Sequence, residues 1–495
     1  MQRIYSYSGV MMKWFFAFVV AAFWLVAEED SWLNLLAANS ADYTAEFRKG
    51  VLDGDRTPPK RVSFTPQQIQ NSQKIKYVII IFQENWAFDA LYGKFPGANG
   101  LANAKRENYE QIDMMGKPYP MLYTCIDTKI NKPYPEIPTN LPNAPFDLSA
   151  YIPMSKVTGD LIHQFYHEQY QINGGLMNRF IDFSTAGGFV MSYYDINSTE
   201  MGKLAKEYVL CDNWFHSCYG GSMCGALWLF TAQMPLWPNA RAEIVAKLLP
   251  TGVMVKNGLV SPDGYAINDA QPFYPPFKKG VPDDVRVPPQ NYKTIGDLLT
   301  EKGISWKWYA EGWNNAVQGK PDKTFAFHHQ APVYFVQFAP GTIGREAHLF
   351  DLDQFYQDLK DNKVPSVSFI RSIDLYSEHP GDGTLLNGLN WCANFIQTIQ
   401  KSPIWKECAI IMTYDENGGR WDHVSPPVVD RFGPATRVPA VIISPFAKRG
   451  YIDHTSYETV SILKFIEERF GLAPLSTRDA SANNILNAFD FNQTE

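Results

Sequence analysis

The sequence predicts an α/β protein in which a central, mostly parallel sheet is flanked by helices. Three observations lead there. Short, unbroken apolar runs recur along the chain, helical patterns lie between several of them, and polar clusters follow the runs directly. Strands covered on both faces read as continuous apolar runs rather than alternating ones, and their alternation with helices is the pattern of a sheet buried between two helical layers.

The first run is Ile75 to Phe82, rich in Ile and Val. Similar runs follow at Tyr208 to Cys211, Ile304 to Tyr309, Val364 to Ile370, Cys408 to Tyr414 and Val438 to Ile443. The strands starting at Lys76 and Cys408 are expected at the centre, because both are continuous and both end in polar clusters. Helical patterns span Asn291 to Lys302, Leu352 to Leu359, Trp391 to Lys401 and Thr459 to Phe470. The segments Tyr109 to Tyr151 and Leu236 to Val287 are rich in Pro and aromatics and lack periodicity. They read as long insertions over the sheet, with a lid as one role open to them.

Composition narrows the function classes. The 495 residues are 45% hydrophobic and 19% charged, which suits a folded globular chain. Aromatics reach 14%, ample for a large core and for apolar pockets. A net charge of −7 argues against a protein that holds nucleic acid by its general field. An anionic substrate would need a local remedy for repulsion, such as a metal ion.

At the N-terminus, Arg3 and Lys13 precede an apolar run of 14 residues from Trp14 to Ala27, which Glu28, Glu29 and Asp30 stop. That is short of the ~20 residues needed to span a bilayer and fits the apolar region of a signal peptide. Leu25 makes a poor −3 residue for cleavage after Ala27, and the better small residues near Ser40 and Ala41 lie far from the run, so a retained anchor and a buried N-terminal helix stay open as alternatives. Residues 1–41 therefore read as a leader and 42–495 as a single catalytic domain, with a secreted or periplasmic destination. No Arg-Arg pair precedes the run, so a twin-arginine route is not indicated. Six cysteines, Cys125, Cys211, Cys218, Cys224, Cys392 and Cys408, permit disulfides in an exported chain; none forms a CxxC pair, which speaks against a zinc-thiolate site.

The residues after each strand carry the chemistry. Gln83, Glu84 and Asn85 follow the first run; Asp415, Glu416, Asn417, Gly418 and Gly419 follow the run ending at Tyr414; Arg371 and Asp374 lead to Glu378 and His379; Asp212 and Asn213 lead on to Gly220, Gly221 and Ser222. Ligands of open α/β sheets bind at the carboxyl ends of the strands. Glu84 and Asn85 have a bland alternative as caps of a helix around Phe88 to Tyr92. Asp415 and Glu416 are harder to explain structurally, because adjacent carboxylates after a buried strand repel unless a cation lies between them. Ser222 precedes an apolar helical run from Met223 to Phe230. It is either an N-cap or a hydroxyl placed at a helix N-terminus, where free N–H groups suit a phosphoryl group and a metal can activate the oxygen. Nine histidines occur, among them His163, the adjacent His328 and His329, and His379; imidazoles suit protonation of a leaving alkoxide.

The stretch from Gln83 to Asp89 resembles the Q-E-N-x-x-F-D signature of the bacterial acid phosphatase/phospholipase C family of phosphoesterases, part of the alkaline-phosphatase-like superfamily. Tyr414 to Val424 is similar to its Y-D-E-x-G-G-x-x-D-H-V signature. Further blocks resemble it in order: His163 through Gly175, Gly220-Gly221-Ser222, His328-His329, Glu378 to Gly381, and Arg478-Asp479-Ala480. Trp86-Ala87 replaces the usual Arg-Ser in the first motif, and Ser222 is more like the phosphatase branch than the Thr of many phospholipases.

The resemblance implies a metal ion, with zinc, calcium and iron all open, held by Glu84, Asn85, Asp415, Glu416 and the Ser222 oxygen. It implies attack of Ser222 on phosphorus through a phosphoserine, with His163, His328, His329 and His379 holding phosphoryl oxygens or protonating the leaving group. Phospholipid is the favoured substrate, with transient membrane-surface contact and an aromatic cage for a choline group; the alternative is an acid phosphatase acting on phosphomonoesters. A sulfatase needs a C/S-x-P-x-R motif, which Ser222-Met223-Cys224-Gly225-Ala226 is not. A non-catalytic exported binding module is a remote alternative that would not need this collection of groups.

Overall fold

A computed structural model describes residues 57–250 and 252–493. The expected leader within residues 1–41 lies outside the described residues. Eight strands form one sheet: β1 (Tyr77–Gln83), β2 (Val209–Cys211), β3 (Trp306–Ala310), β4 (Leu349–Asp351), β5 (Val367–Arg371), β6 (Cys408–Tyr414), β7 (Ala440–Ile443) and β8 (Tyr451–Asp453). Their order is β4-β3-β5-β1-β6-β7-β2-β8, which puts β1 and β6 in the middle, as the sequence predicts. β7 runs antiparallel to both its neighbours, and every other neighbouring pair in this sheet is parallel.

The six expected strands all form, each trimmed or shifted by up to three residues except β6, which matches its apolar run end to end. The edge strands β4 and β8 went unforeseen; each has only two apolar residues before an aspartate, too few to stand out as a run. The expected helices also form, at Ile295–Glu301, Leu352–Lys360, Leu385–Gln400 and Ser461–Phe470. The third begins six residues earlier than its apolar pattern, because Thr384 caps it by accepting the Asn387 N–H. The two long insertions contain 3-10 turns and two- or three-residue strands.

Side-chain alternation on β3 shows how the sheet is covered. Trp306 and Trp308 point to one face, where both pack on Phe230 of helix Ser222–Thr231 at centroid distances of 5.8 and 5.7 Å. Tyr309 points to the other face and meets Phe355 of helix Leu352–Lys360 at 5.3 Å; Phe355 in turn packs on Phe395 of helix Leu385–Gln400. Phe230 also touches Phe335, Phe338 and Phe369, so the helix that starts at Ser222 is pinned to the sheet by one buried aromatic cluster. Burying such a ring stabilises by about 1.5–3 kcal/mol. All six cysteines are buried and none is in a disulfide, so the pairing that an even count permits is not realised. Among the described residues, no helix is long and apolar enough to cross a membrane.

Candidate active site

The register of the central strands assembles the site. β1 and β6 pair in parallel from Tyr77 with Cys408 to Gln83 with Tyr414, so the next residues of each chain, Glu84 and Asp415, emerge side by side. The Asp415 N–H donates to Gln83 O at 3.0 Å, and the Asn85 N–H lies 3.4 Å from Asp415 Oδ1. Asn85 has a φ of 67°, a left-handed conformation that asparagine tolerates better than most residues. Gly418 and Gly419 have φ of 62° and 67°; a Cβ on Gly418 would stand 2.3 Å from Asn85 O, and one on Gly419 2.2 Å from Ile162 O. The close backbone approach at this glycine pair is thus what brings three segments together.

Ser222 enters from the facing helix. Its Oγ lies 3.3 Å from both Glu84 Oε2 and Asn85 Oδ1, and it also meets the Asp415 carboxyl. The capping alternatives are not taken up. Gly221, not Ser222, is the N-cap of helix Ser222–Thr231, and Ala87 caps helix Phe88–Tyr92 without any bond from Glu84 or Asn85. Four of the five expected ligands therefore meet. Glu416 turns aside: its Oε2 accepts the Gly418 N–H, while Oε1 has no hydrogen-bond partner and faces His163 Nε2 at 3.7 Å.

The electrostatics are those of a buried anionic cluster. Burial opposes charge on Glu84, but the adjacent His329 ring and Arg371 guanidinium outweigh it and hold its carboxyl well below the usual range. His329 Nδ1 is 2.7 Å from Glu84 Oε1, burial depresses the imidazole to about 3, and Arg371 stands on the same carboxylate. Arg371 ion-pairs with Glu84 and lies 3.6 Å from Asp415 Oδ2. Burial, then the charge of Glu84, pushes Asp415 up to about 8; burial and Asp415 push Glu416 well above its usual range. Asn85 Nδ2, Asp415 Oδ2 and Glu416 Oε1 are buried with no hydrogen-bond partner. An oxygen-rich set with unpartnered buried carboxylate oxygens fits a hard or borderline divalent cation. Ligand atoms of Glu84, His329 and Asp374 also lie within 4.8 Å of one another, as do those of Asp160, His163 and His379.

The histidines ring this cluster. His163 and His379 have centroids 6.4 Å apart, and His328 and His329 4.2 Å. Burial opposes charge on His379, but the Asp382 carboxylate at 3.3 Å, with Asp160 and Glu84 nearby, raises it well above its usual value. Burial lowers His328. His379 is aimed by the residue before it. Glu378 has a φ of 74°, which is strained for a side chain of its size, and its carboxyl accepts from Gln83 Nε2 at 3.2 Å and the Tyr414 hydroxyl at 2.6 Å. One buried carboxyl thus ties the His379 loop to the last residues of both central strands; burial pushes it up to about 8.

The far ends of the two long motifs serve a different purpose. Asp89, Asp422 and His423 come together, but the cation among them is Arg437, which ion-pairs with Asp422 at 2.9 Å and Asp89 at 3.2 Å. Asp212, expected near the same edge, pairs with His454 at 2.8 Å instead. Sequence reasoning did not assign roles to Arg371, Glu378 or Asp269. An arginine directly after a buried apolar run was the available signal for the first; Asp269 sits in an aperiodic insertion and carried none.

Residues 75–473 match the phosphoesterase family. A non-hemolytic phospholipase C from Burkholderia pseudomallei is 23% identical over 484 residues, covering 85% of this chain and 60% of that protein. Phospholipase C A from Mycobacterium tuberculosis is 24% identical over 467 residues, covering 84% of this chain and 77% of that protein. The chain spans about three fifths of the length of the first of these relatives. Among solved structures, a protein of the alkaline phosphatase superfamily from Vibrio parahaemolyticus covers 90% of this chain and 77% of that one at 11% identity and a TM-score of 0.37, too low a likeness to carry an argument.

Proposed function

The chain belongs to the phosphoesterase family, and from that premise we propose that it is a metal-dependent hydrolase of phosphate esters acting through a phosphoserine at Ser222. The observation that carries the reading is the Ser222 hydroxyl 3.3 Å from Glu84 and Asn85, at a helix N-terminus, within a buried carboxylate cluster. Glu84, Asn85, Asp415 and Ser222 would hold the divalent ion, whether zinc, calcium or iron, while Glu416 is turned toward His163. When bound, such an ion lowers the hydroxyl pKa and draws charge from phosphoryl oxygens.

Ser222 Oγ attacks phosphorus in line and the alcohol leaves; water then attacks the phosphoserine and Ser222 leaves in turn. His379, held protonated by Asp382, is suited to gripping a phosphoryl oxygen or giving a proton to the leaving alkoxide. His163 and His328 stand beside it, and His329 keeps Glu84 in place through its 2.7 Å contact. Phospholipid is the favoured substrate, supported by the relatives named phospholipase C. The serine in place of threonine favours the second reading, a phosphatase of monoesters. Export, with transient contact at a membrane surface, is supported by the apolar run from Trp14 to Ala27.

The experiment pairs phosphatidylcholine with p-nitrophenyl phosphate before and after chelation, with mass spectrometry of the quenched Ser222 peptide. Turnover that survives thorough chelation, or a burst of product with no phosphorylated Ser222, sinks the corresponding part of the reading.

A further inference from the structure

Helix Ser222–Thr231 begins at the proposed nucleophile, and its first N–H groups and positive dipole end are where a phosphoryl oxygen would be received. A carboxylate from the second long insertion already occupies that position. Asp269 Oδ1 accepts the Met223 N–H at 2.9 Å. A Cβ on Gly221 would meet Asp269 Oδ2 at 2.5 Å and Oδ1 at 2.8 Å, so the carboxylate presses on the turn that presents Ser222. His328 Nε2 stands 4.0 Å from Oδ2.

Asp269 is not sealed off. Its side chain keeps 35% of its exposure and lines a cavity of about 350 Å³ with Asp160, His163, Gln164, Gly221 and Asn268. Among the described residues, no lysine or arginine lines that cavity. The nearby arginine, Arg371, is already engaged with Glu84.

We propose that Asp269 is a specificity-determining residue that favours phosphate diesters over phosphate monoesters, an inference that rests on the hydrolase reading above. A monoester phosphate has a second pKa near ~6 and approaches two negative charges at neutral pH, whereas a diester carries one. A fixed carboxylate beside the nucleophile repels the dianion about twice as strongly as the monoanion. It also takes up a helix N–H that would otherwise stabilise the second charge. Burial lowers the pKa of His328, which weakens the compensation that ring can give. A simple capping role for Asp269 predicts a loss of stability on substitution and no change in substrate preference.

The test uses the purified full chain loaded with zinc, calcium or iron(II), and two substrates with one leaving group: methyl p-nitrophenyl phosphate and p-nitrophenyl phosphate. Asp269→Asn is expected to raise kcat/KM for the monoester relative to the diester on the order of tenfold, and Asp269→Glu to keep the wild-type ratio. Because the Asn variant could fold poorly, wild-type inhibition is measured as well: at pH 7.5 dimethyl phosphate is expected to bind more tightly than inorganic phosphate. An unchanged ratio in Asp269→Asn, or tighter binding of inorganic phosphate to the wild type, overturns the inference while leaving the hydrolase reading intact. A wild-type protein that cleaves neither ester with any of the three metals overturns both.

Discussion

The backbone oxygen of Asn85 and the α-carbon of Gly418 are packed so closely that a methyl group on Gly418 would lie 2.3 Å from that oxygen. The contact joins the loop after β1 to the loop after β6, and it leaves no room for any residue but glycine. The φ of 62° at Gly418 reinforces the demand.

Gly418→Ala should therefore destabilise the protein by about 1–3 kcal/mol and weaken metal binding together. Gly303→Ala is the control: its φ is 71° but nothing lies within 4 Å, so it isolates the backbone term. Urea unfolding midpoints and titration calorimetry with a divalent metal separate the two. Equal losses in both variants would mean that the contact with Asn85 contributes nothing.

Ser222→Ala should abolish turnover and change stability by less than about 1 kcal/mol, because Ser222 makes no capping bond whose loss would be felt. Ser222→Thr should keep part of the activity, since it retains a hydroxyl at the same atom. Steady-state kinetics beside thermal unfolding decide the matter; a fully active alanine variant removes Ser222 from the chemistry.

Metal-free protein should become less stable as pH rises from about 4 to about 8. Asp415 is raised from 3.8 to about 8, so across that window the folded state holds a proton that the unfolded chain has released. A raised carboxyl contributes stability below its unfolded pKa and loses it as pH climbs through the folded one. Glu416 is shifted in the same direction. Metal binding displaces these protons, so affinity should strengthen over the same window. Chemical denaturation and metal titration at pH 5, 6.5 and 8 check both trends; a metal affinity independent of pH would contradict them.

Phe230→Ala should cost about 3–5 kcal/mol, because the ring is fully buried against Trp306, Trp308, Phe335, Phe338 and Phe369. The same change should lower kcat, since the helix bearing Phe230 begins at Ser222. A destabilised variant with undiminished kcat would show that the helix terminus is held by other contacts.

The sheet was legible because its central strands are buried on both faces, and burial on both faces writes an unbroken apolar run. β6 coincides with its run, Cys408–Tyr414, while the three-residue edges β4 and β8 left no trace. The same logic explains the site. Glu84, Asn85 and Asp415 directly follow strands whose register fixes them side by side, so their grouping could be read from two local patterns. Arg371, Glu378 and Asp269 act through tertiary contacts that no local period encodes: Asp269 reaches Met223 across 46 positions of chain, and Glu378 reaches Gln83 across 295.

One antiparallel strand changes how the chain spends its length. A parallel neighbour after β6 would have required a crossover to the opposite rim of the sheet. β7 instead starts at the rim where β6 ends, so residues 415–439 need no crossover to the opposite rim. That detour-free stretch becomes a wall: it delivers Asp415 and Glu416, the Gly418 contact, the Asp422–His423 pair and finally Arg437, which closes back on Asp422 and Asp89. The reversal of a four-residue strand thus turns what would have been a connecting helix on the far side into continuous masonry around the reacting centre.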